Sequence, residues 1–265
     1  MLDLLANIIA LAAATASQPT PVVTAASICR LEIVEHAKVA EVIDGGTVRL
    51  ADGRQVRLVA TRAPELALGR KSVGDWPLAA DAKKALETLV RGKSVGLGYD
   101  DLKTDRNGRA LAHLYVDGSG TWVQGAMISL GMARVYTWSD NRSCAAELLA
   151  RESQARAAQR GIWALPFYRI RKPAELDNEI DTFQLVEGRV VSAAVVRGRI
   201  FLNFGPDYRT DFTVTIAPQD MKFFRSAGLD PRTLQGKTIR VRGWISLQNG
   251  PEIEATHPEQ IEILH

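Results

Sequence analysis

The stretch "VIDGGTVRLADGRQVRLVATRAPE", Val42–Glu65, decides the fold. Apolar and polar residues alternate around two Asp-Gly pairs, Asp44-Gly45 and Asp52-Gly53, which are turn signals between short strands. From Val39 to Val59 the chain therefore reads as two or three antiparallel strands. Beyond Pro64 and Gly69, "DWPLAADAKKALETLVRGK" changes period. Leu78, Ala82, Ala85, Leu86, Leu89 and Val90 fall on one helical face, Pro77 suits the first turn, and Gly92 ends it. Strands return at Ser94–Tyr99 and Ala110–Val116, joined by the polar loop "DDLKTDRNGR". A short helix is expected from Trp122 to Leu130 and a long one from Asn141 to Arg160, ended by Gly131 and Gly161.

"ALPFYRIRKPAELDN" (Ala164–Asn178) carries two prolines and no clear period, so it reads as a connector. A second strand-rich region follows, with one short helical piece around Pro218–Ala227 and a hairpin turning at Asn249-Gly250. The expected organisation is a leader and spacer over residues 1–28, one domain over 29–165, a linker over 166–180, and a second small β-barrel over 181–265. The expected class is α+β, mainly β.

A chain of 265 residues is comfortable for two domains. Its composition, 46% hydrophobic and 24% charged, excludes a disordered polymer. A net charge of +3 permits an anionic partner without demanding one. Leu2–Ala16 is almost wholly apolar, too short to span a membrane, and followed by the small residues of an A-x-A cleavage pattern. It reads as an export signal, placing the mature chain in the periplasm or outside the cell, although Asp3 stands where a positive n-region is expected. A short membrane-associated leader is the alternative. The two cysteines, Cys29 and Cys144, form one disulfide or are two unrelated buried thiols. "RGKS" at Arg91–Ser94 is no P-loop: Glu87 replaces the upstream glycine, and the segment leads from a helix into a strand.

Five blocks in order, "VIDGGTVRL", "VRLVATRAPE", "TDRNGRALAHLY", "LGMARVY" and "ARAAQRGIW", resemble the staphylococcal nuclease (thermonuclease) family over Val39–Trp163. The resemblance implies a five-stranded OB-type barrel with three helices. It also implies a nucleic-acid phosphodiester hydrolase: Glu65 as general base, Arg57 and Arg109 on the phosphate, and calcium as the cofactor of active members. Tyr136 and Trp138 fall where the family places aromatics near the bound nucleotide; stacking on a base and packing in the core are the two readings open to them.

The departure from the pattern lies at the metal. The family's two calcium-holding carboxylates fall on Gly46 and Arg62, and a carbonyl ligand on Ala63; Asp44 stays nearby. Relative to two aspartates the site gains three units of positive charge, one at Gly46 and two at Arg62. A calcium site with Kd about 10⁻⁴–10⁻³ M holds its ion by only about 4–5.5 kcal/mol. One arginine roughly 5 Å away repels it by about 6–7 kcal/mol at an effective dielectric of about 20. No calcium is expected at the family position, and calcium-dependent turnover is expected to be weak or absent. The alternatives are a catalytically inactive protein that binds nucleic acid or another anion, and a cell-envelope interaction protein. In the second domain Arg189, Arg197, Arg199, Arg209, Arg240 and Arg242 interleave with Phe201, Phe204, Tyr208 and Trp244. That pattern suits either a single-stranded nucleic-acid surface or the plain solvent face of strands.

Overall fold

The computed structural model describes residues 29–67 and 74–264; the leader-like segment lies outside them. β1 (Ile33–Asp44) is long, and its two halves serve different partners. The first half pairs with β5 (Ser94–Gly98) and the second with β2 (Thr47–Leu50). Bulges at Val39/Glu41 and Val42/Asp44 turn the strand from one neighbour to the other. β3 (Gln55–Leu58) pairs antiparallel with β2 and parallel with β6 (Ala110–Val116), which in turn pairs with β5. The circuit is closed, so the expected five-stranded OB-type barrel is present.

β4 (Thr61–Arg62) leaves the barrel to pair with β8 (Arg134–Val135). α1 (Ala79–Val90) plugs the barrel with Ala82, Leu86 and Val90, as its sequence period predicts. β7 (Thr121–Trp122) leads into α2 (Val123–Ser129), and α3 (Ala145–Ala157) packs on α2. α3 begins later than expected because Cys144, just before its first residue, is bonded to Cys29. Of the two cysteine readings, the disulfide is the one formed; closing a 115-residue separation contributes about 4–5 kcal/mol on the chain-entropy model.

The second barrel comprises β9 (Phe183–Arg189), β10 (Ser192–Val196), β11 (Arg199–Asn203), β12 (Thr213–Ile216), α4 (Met221–Ser226), β13 (Thr238–Trp244), β14 (Ser246–Leu247), β15 (Pro251–Glu254) and β16 (Ile261–Ile263). Its connectivity resembles that of the first, with its strands hydrogen-bonded in two sheets, β10-β11-β12-β15-β14 and β16-β13-β9. Three strands meander, a helix follows, β13 returns to pair with the first strand β9, and β15 runs parallel to β12. The β14–β15 hairpin turns through Asn249 and Gly250, both at positive φ, as the Asn-Gly pair predicts. Each barrel has its own apolar core.

The barrels dock. A third apolar cluster joins Ile162, Trp163 and Tyr168 to Phe183 and Leu185 of β9. Beside it lies a chain of buried charges. Glu152 of α3, wholly buried, accepts from the Val135 N–H at 2.7 Å, Arg156 at 2.8 Å and Arg242 of β13 at 2.8 Å. Arg242 also pairs with Glu262, which Arg156 and Arg240 reach as well. Burial opposes the charge of Arg242, but Glu152 and Glu262 outweigh it and hold its pKa above the ordinary value. Arg134 crosses the same seam and donates to the Phe183 carbonyl at 3.0 Å. His257 sits wholly buried within hydrogen-bond distance of Thr137 and Thr256.

Glu152→Ala leaves Arg156 and Arg242 with Glu262 as their one shared carboxylate in the buried seam, so we expect it to cost about 3–5 kcal/mol in urea unfolding. The joint replacement Glu152→Leu with Arg242→Met is expected to cost much less. A second expectation concerns pH. Burial lowers the pKa of His113 and of His257 to about 4, below the value of about 6.5 in an unfolded chain. Between those values the unfolded state binds more protons, so stability is full above about pH 6.5 and falls as pH drops towards 4. His257→Gln should flatten that slope in unfolding curves taken across the window.

Candidate phosphate-binding site

The β1–β2 turn, β3, β4 and the end of the 100–109 loop converge at one mouth of the first barrel. They enclose a polar cleft of about 450 Å³. Four arginines face it (Arg57, Arg62, Arg106 and Arg109) against the carboxylates of Asp44 and Glu65. The structure thus gathers every residue expected at the phosphate and base positions, together with the two positions expected to lack metal ligands. Arg106 joins them unforeseen; its only sequence signal is membership of the "DRNGR" turn.

Local chemistry sets each side chain. Arg57 stands on β3 opposite Thr47, its Cζ 5.8 Å from the centre of the Trp138 ring. Arg109 is held by Asp105, which accepts from its Nε at 2.8 Å and its backbone N–H at 3.0 Å. Burial works against the Asp105 carboxylate, but these bonds and the Asn107 N–H keep its pKa lowered. Asp44 turns inward and accepts from the Gly46 N–H at 2.8 Å.

Arg62 takes the centre. It forms an ion pair with Glu65, and its guanidinium lies 4.7 Å from the Trp244 ring, 5.4 Å from Trp76 and 5.9 Å from Tyr136. Only 10% of the side chain is exposed. Burial lowers its pKa, with Glu65 acting against the shift. A guanidinium keeps its proton at neutral pH even so. Stacking on aromatic faces stabilises it there by about 0.5–2 kcal/mol per ring. Trp76 and Trp244 carried no sequence signal for this role: Trp244 belongs to the other barrel, and Trp76 to the segment before α1.

Tyr136 and Trp138 stand at the border of the cleft. The indole N–H groups of Trp138 and Trp244 both donate to the Tyr136 hydroxyl, each at 3.1 Å. Behind them opens a second cavity of about 290 Å³ between the barrels. Four of the six arginines expected on the second barrel have other tasks. Arg242 holds the seam through Glu152, Arg240 pairs with Glu187 and Glu262 of its own barrel, Arg199 pairs with Glu254, and Arg189 donates to the Gly236 carbonyl.

A hard divalent cation needs six to eight oxygen ligands, several of them carboxylate. Here Asp44 is bonded to its own turn, Glu65 is paired with Arg62, and the guanidinium lies among them. No group of three or more His, Cys, Asp or Glu side chains suited to a metal exists among the described residues. These residues do not fit calcium.

A family model described as staphylococcal nuclease homologue matches residues 55–165. Arg57, Arg62, Glu65 and Arg109 lie inside that match, whereas Asp44 and Gly46 lie before it. An uncharacterized endonuclease of Escherichia coli is 31% identical over 132 residues, 49% of this chain and 77% of the relative. Endonuclease YncB of Bacillus subtilis (strain 168) is 30% identical over 131 residues, 48% of this chain and 60% of its own length. The SPbeta prophage-derived endonuclease YokF of the same organism is 29% identical over 127 residues, 46% of this chain and 42% of its own.

The two adjacent glycines of the turn should respond differently to a methyl group. A Cβ at Gly45 would lie 2.8 Å from the Cβ atoms of both Ala63 and Ala82, whereas one at Gly46 meets nothing nearer than 3.8 Å. We expect Gly45→Ala to cost about 1–3 kcal/mol in unfolding, by overpacking. Gly46→Ala should stay within about 0.5 kcal/mol of the parent.

Proposed function

We propose, for a chain that belongs to the staphylococcal nuclease homologue family, that this cleft binds the phosphates of a nucleic-acid strand and does not hydrolyse them with calcium. The observation that carries the reading is Arg62: its guanidinium is paired with Glu65 and caged by Trp76, Tyr136 and Trp244, at the residue on which the resemblance puts a metal ligand. The relatives named as endonucleases supply the substrate class; the charge of the cleft supplies the departure.

Arg57 and Arg109 hold non-bridging phosphate oxygens, each charged hydrogen bond contributing about 1.5–3 kcal/mol. Arg106 adds field at the rim. Glu65, which would otherwise orient or deprotonate water, instead neutralises Arg62. Gly46 and Arg62 together remove both carboxylate ligands, so no ion is held to polarise the phosphate. Tyr136 and Trp138 offer rings to bases, which favours single strands, since only unpaired bases expose their faces. We place the protein outside the cytosol. The Cys29–Cys144 disulfide supports that reading because such bonds persist in oxidising compartments. No helix among the described residues is long and apolar enough to cross a membrane.

In chelator-containing buffer, Arg57→Ala and Arg109→Ala should each weaken oligonucleotide binding roughly tenfold or more, read by fluorescence anisotropy. With two or three phosphates engaged, log Kd should rise against log salt with a slope of about 2. With calcium, the parent should leave single-stranded DNA and RNA uncut. Gly46→Asp combined with Arg62→Asp should restore cutting by at least about a hundredfold over the parent. Cutting by the parent that disappears in Glu65→Gln would overturn the non-hydrolytic reading; failure of the parent to bind any strand would overturn the binding one.

A further inference from the structure

The cavity of about 290 Å³ between the barrels is lined by Tyr136 and Trp138 from the first and by Phe183, Trp244 and Ser246 from the second. It shares a wall with the arginine cleft. Arg57 lies over Trp138 and Arg62 over Trp244, so cations line one side of the wall and indoles the other. A base lies one sugar away from its phosphate. A phosphate on Arg57 and Arg109 therefore brings its base to this aromatic wall.

Trp244 is placed for that task by two constraints. Side chains alternate along a strand, so Arg242 and Trp244 leave β13 on the same face, and the buried ion pair of Arg242 with Glu152 aims that face at the first barrel. The indole N–H is then fixed on the Tyr136 hydroxyl. Yet 42% of Trp244 stays exposed, an apolar ring held open to solvent and prevented from folding away. A pre-organised ring loses little entropy on binding.

The polar groups around it are already engaged. Gln260 donates to the Arg242 carbonyl and accepts from Thr256, Ser246 donates to the Glu252 carbonyl, and Glu254 pairs with Arg199. With these side chains bonded to one another, the wall offers chiefly ring faces, which suits stacking that tolerates any sequence.

We propose that the second barrel completes the nucleotide site, with Trp244 stacking a nucleobase of the strand whose phosphate lies on Arg57 and Arg109. This rests on the phosphate-binding reading above. The test compares a base-bearing oligothymidylate with an abasic deoxyribose-phosphate strand of equal length, both labelled, in chelator-containing buffer. The parent should bind the base-bearing strand roughly tenfold or more tighter. Trp244→Leu should remove most of that preference, weakening binding of the base-bearing strand far more than that of the abasic strand. Should Trp244→Leu lose both strands through a loosened seam, Trp244→Phe decides, since it keeps a ring but not the fixing N–H; its preference should fall several-fold. A base preference unchanged in Trp244→Leu or Trp244→Phe, with abasic binding still weakened by Arg57→Ala, overturns the role of Trp244 and leaves the phosphate site standing. If the parent binds neither strand, the phosphate reading fails and takes this one with it.

Discussion

Arg242 and Glu152 meet in a dry seam, and the arrangement of the two barrels depends on that contact. A buried ion pair contributes little net stability over a well-packed apolar pair, yet neither partner tolerates the loss of the other. It therefore acts as a register pin. Apolar surfaces such as Phe183 against Tyr168 adhere in many orientations, whereas a guanidinium shared between Glu152 and Glu262 accepts few. Fixing Arg242 also fixes Trp244 two residues along the same strand face, and with it one wall of the aromatic cage.

The cage explains how a guanidinium persists in the cleft with only 10% of its side chain exposed. A guanidinium sent into a half-dry cleft loses hydration. Arg62 recovers part of it from Glu65 and part from the faces of Trp76, Tyr136 and Trp244. Its neighbour across the β4–β8 pairing, Arg134, is still more deeply buried, and burial lowers its pKa to about 10. The two buried guanidinium groups lie side by side, with Glu65 balancing the charge of Arg62. A carboxylate at Gly46 would face the cleft beside Asp44.

The two barrels reach related connectivities from different sequences. In each, three strands meander, a helix follows, and a later strand runs parallel to the last strand of the meander, β6 to β3 and β15 to β12. The first barrel spends its mouth on the arginine cleft. The second spends its basic strand face on the seam, so most of the arginines that might have formed a separate nucleic-acid surface are engaged in docking or in local pairs.

Much of this was legible in residue order. Asp44-Gly45, Asp52-Gly53 and Asn249-Gly250 marked turns, the apolar period of α1 marked a helix, and Arg57, Glu65 and Arg109 fell in recognisable blocks, because each signal is local and its spacing survives in one dimension. The reason for Gly45 was not legible, since its contacts with Ala63 and Ala82 arise only when the turn packs on α1. Nor was the choice between a disulfide and two thiols, because 115 positions separate the cysteines. The sequence by itself determined the barrel and the blocks whose Arg57, Arg62, Glu65 and Arg109 converge on the cleft. Only the tertiary structure decided that the barrels dock, that Arg242 reaches Glu152 while Arg240 and Arg242 share Glu262 rather than face solvent, and that Trp244 closes over Arg62. Those outcomes depend on distances between residues far apart in the chain, and strand alternation can name the face of a strand without naming what lies opposite it.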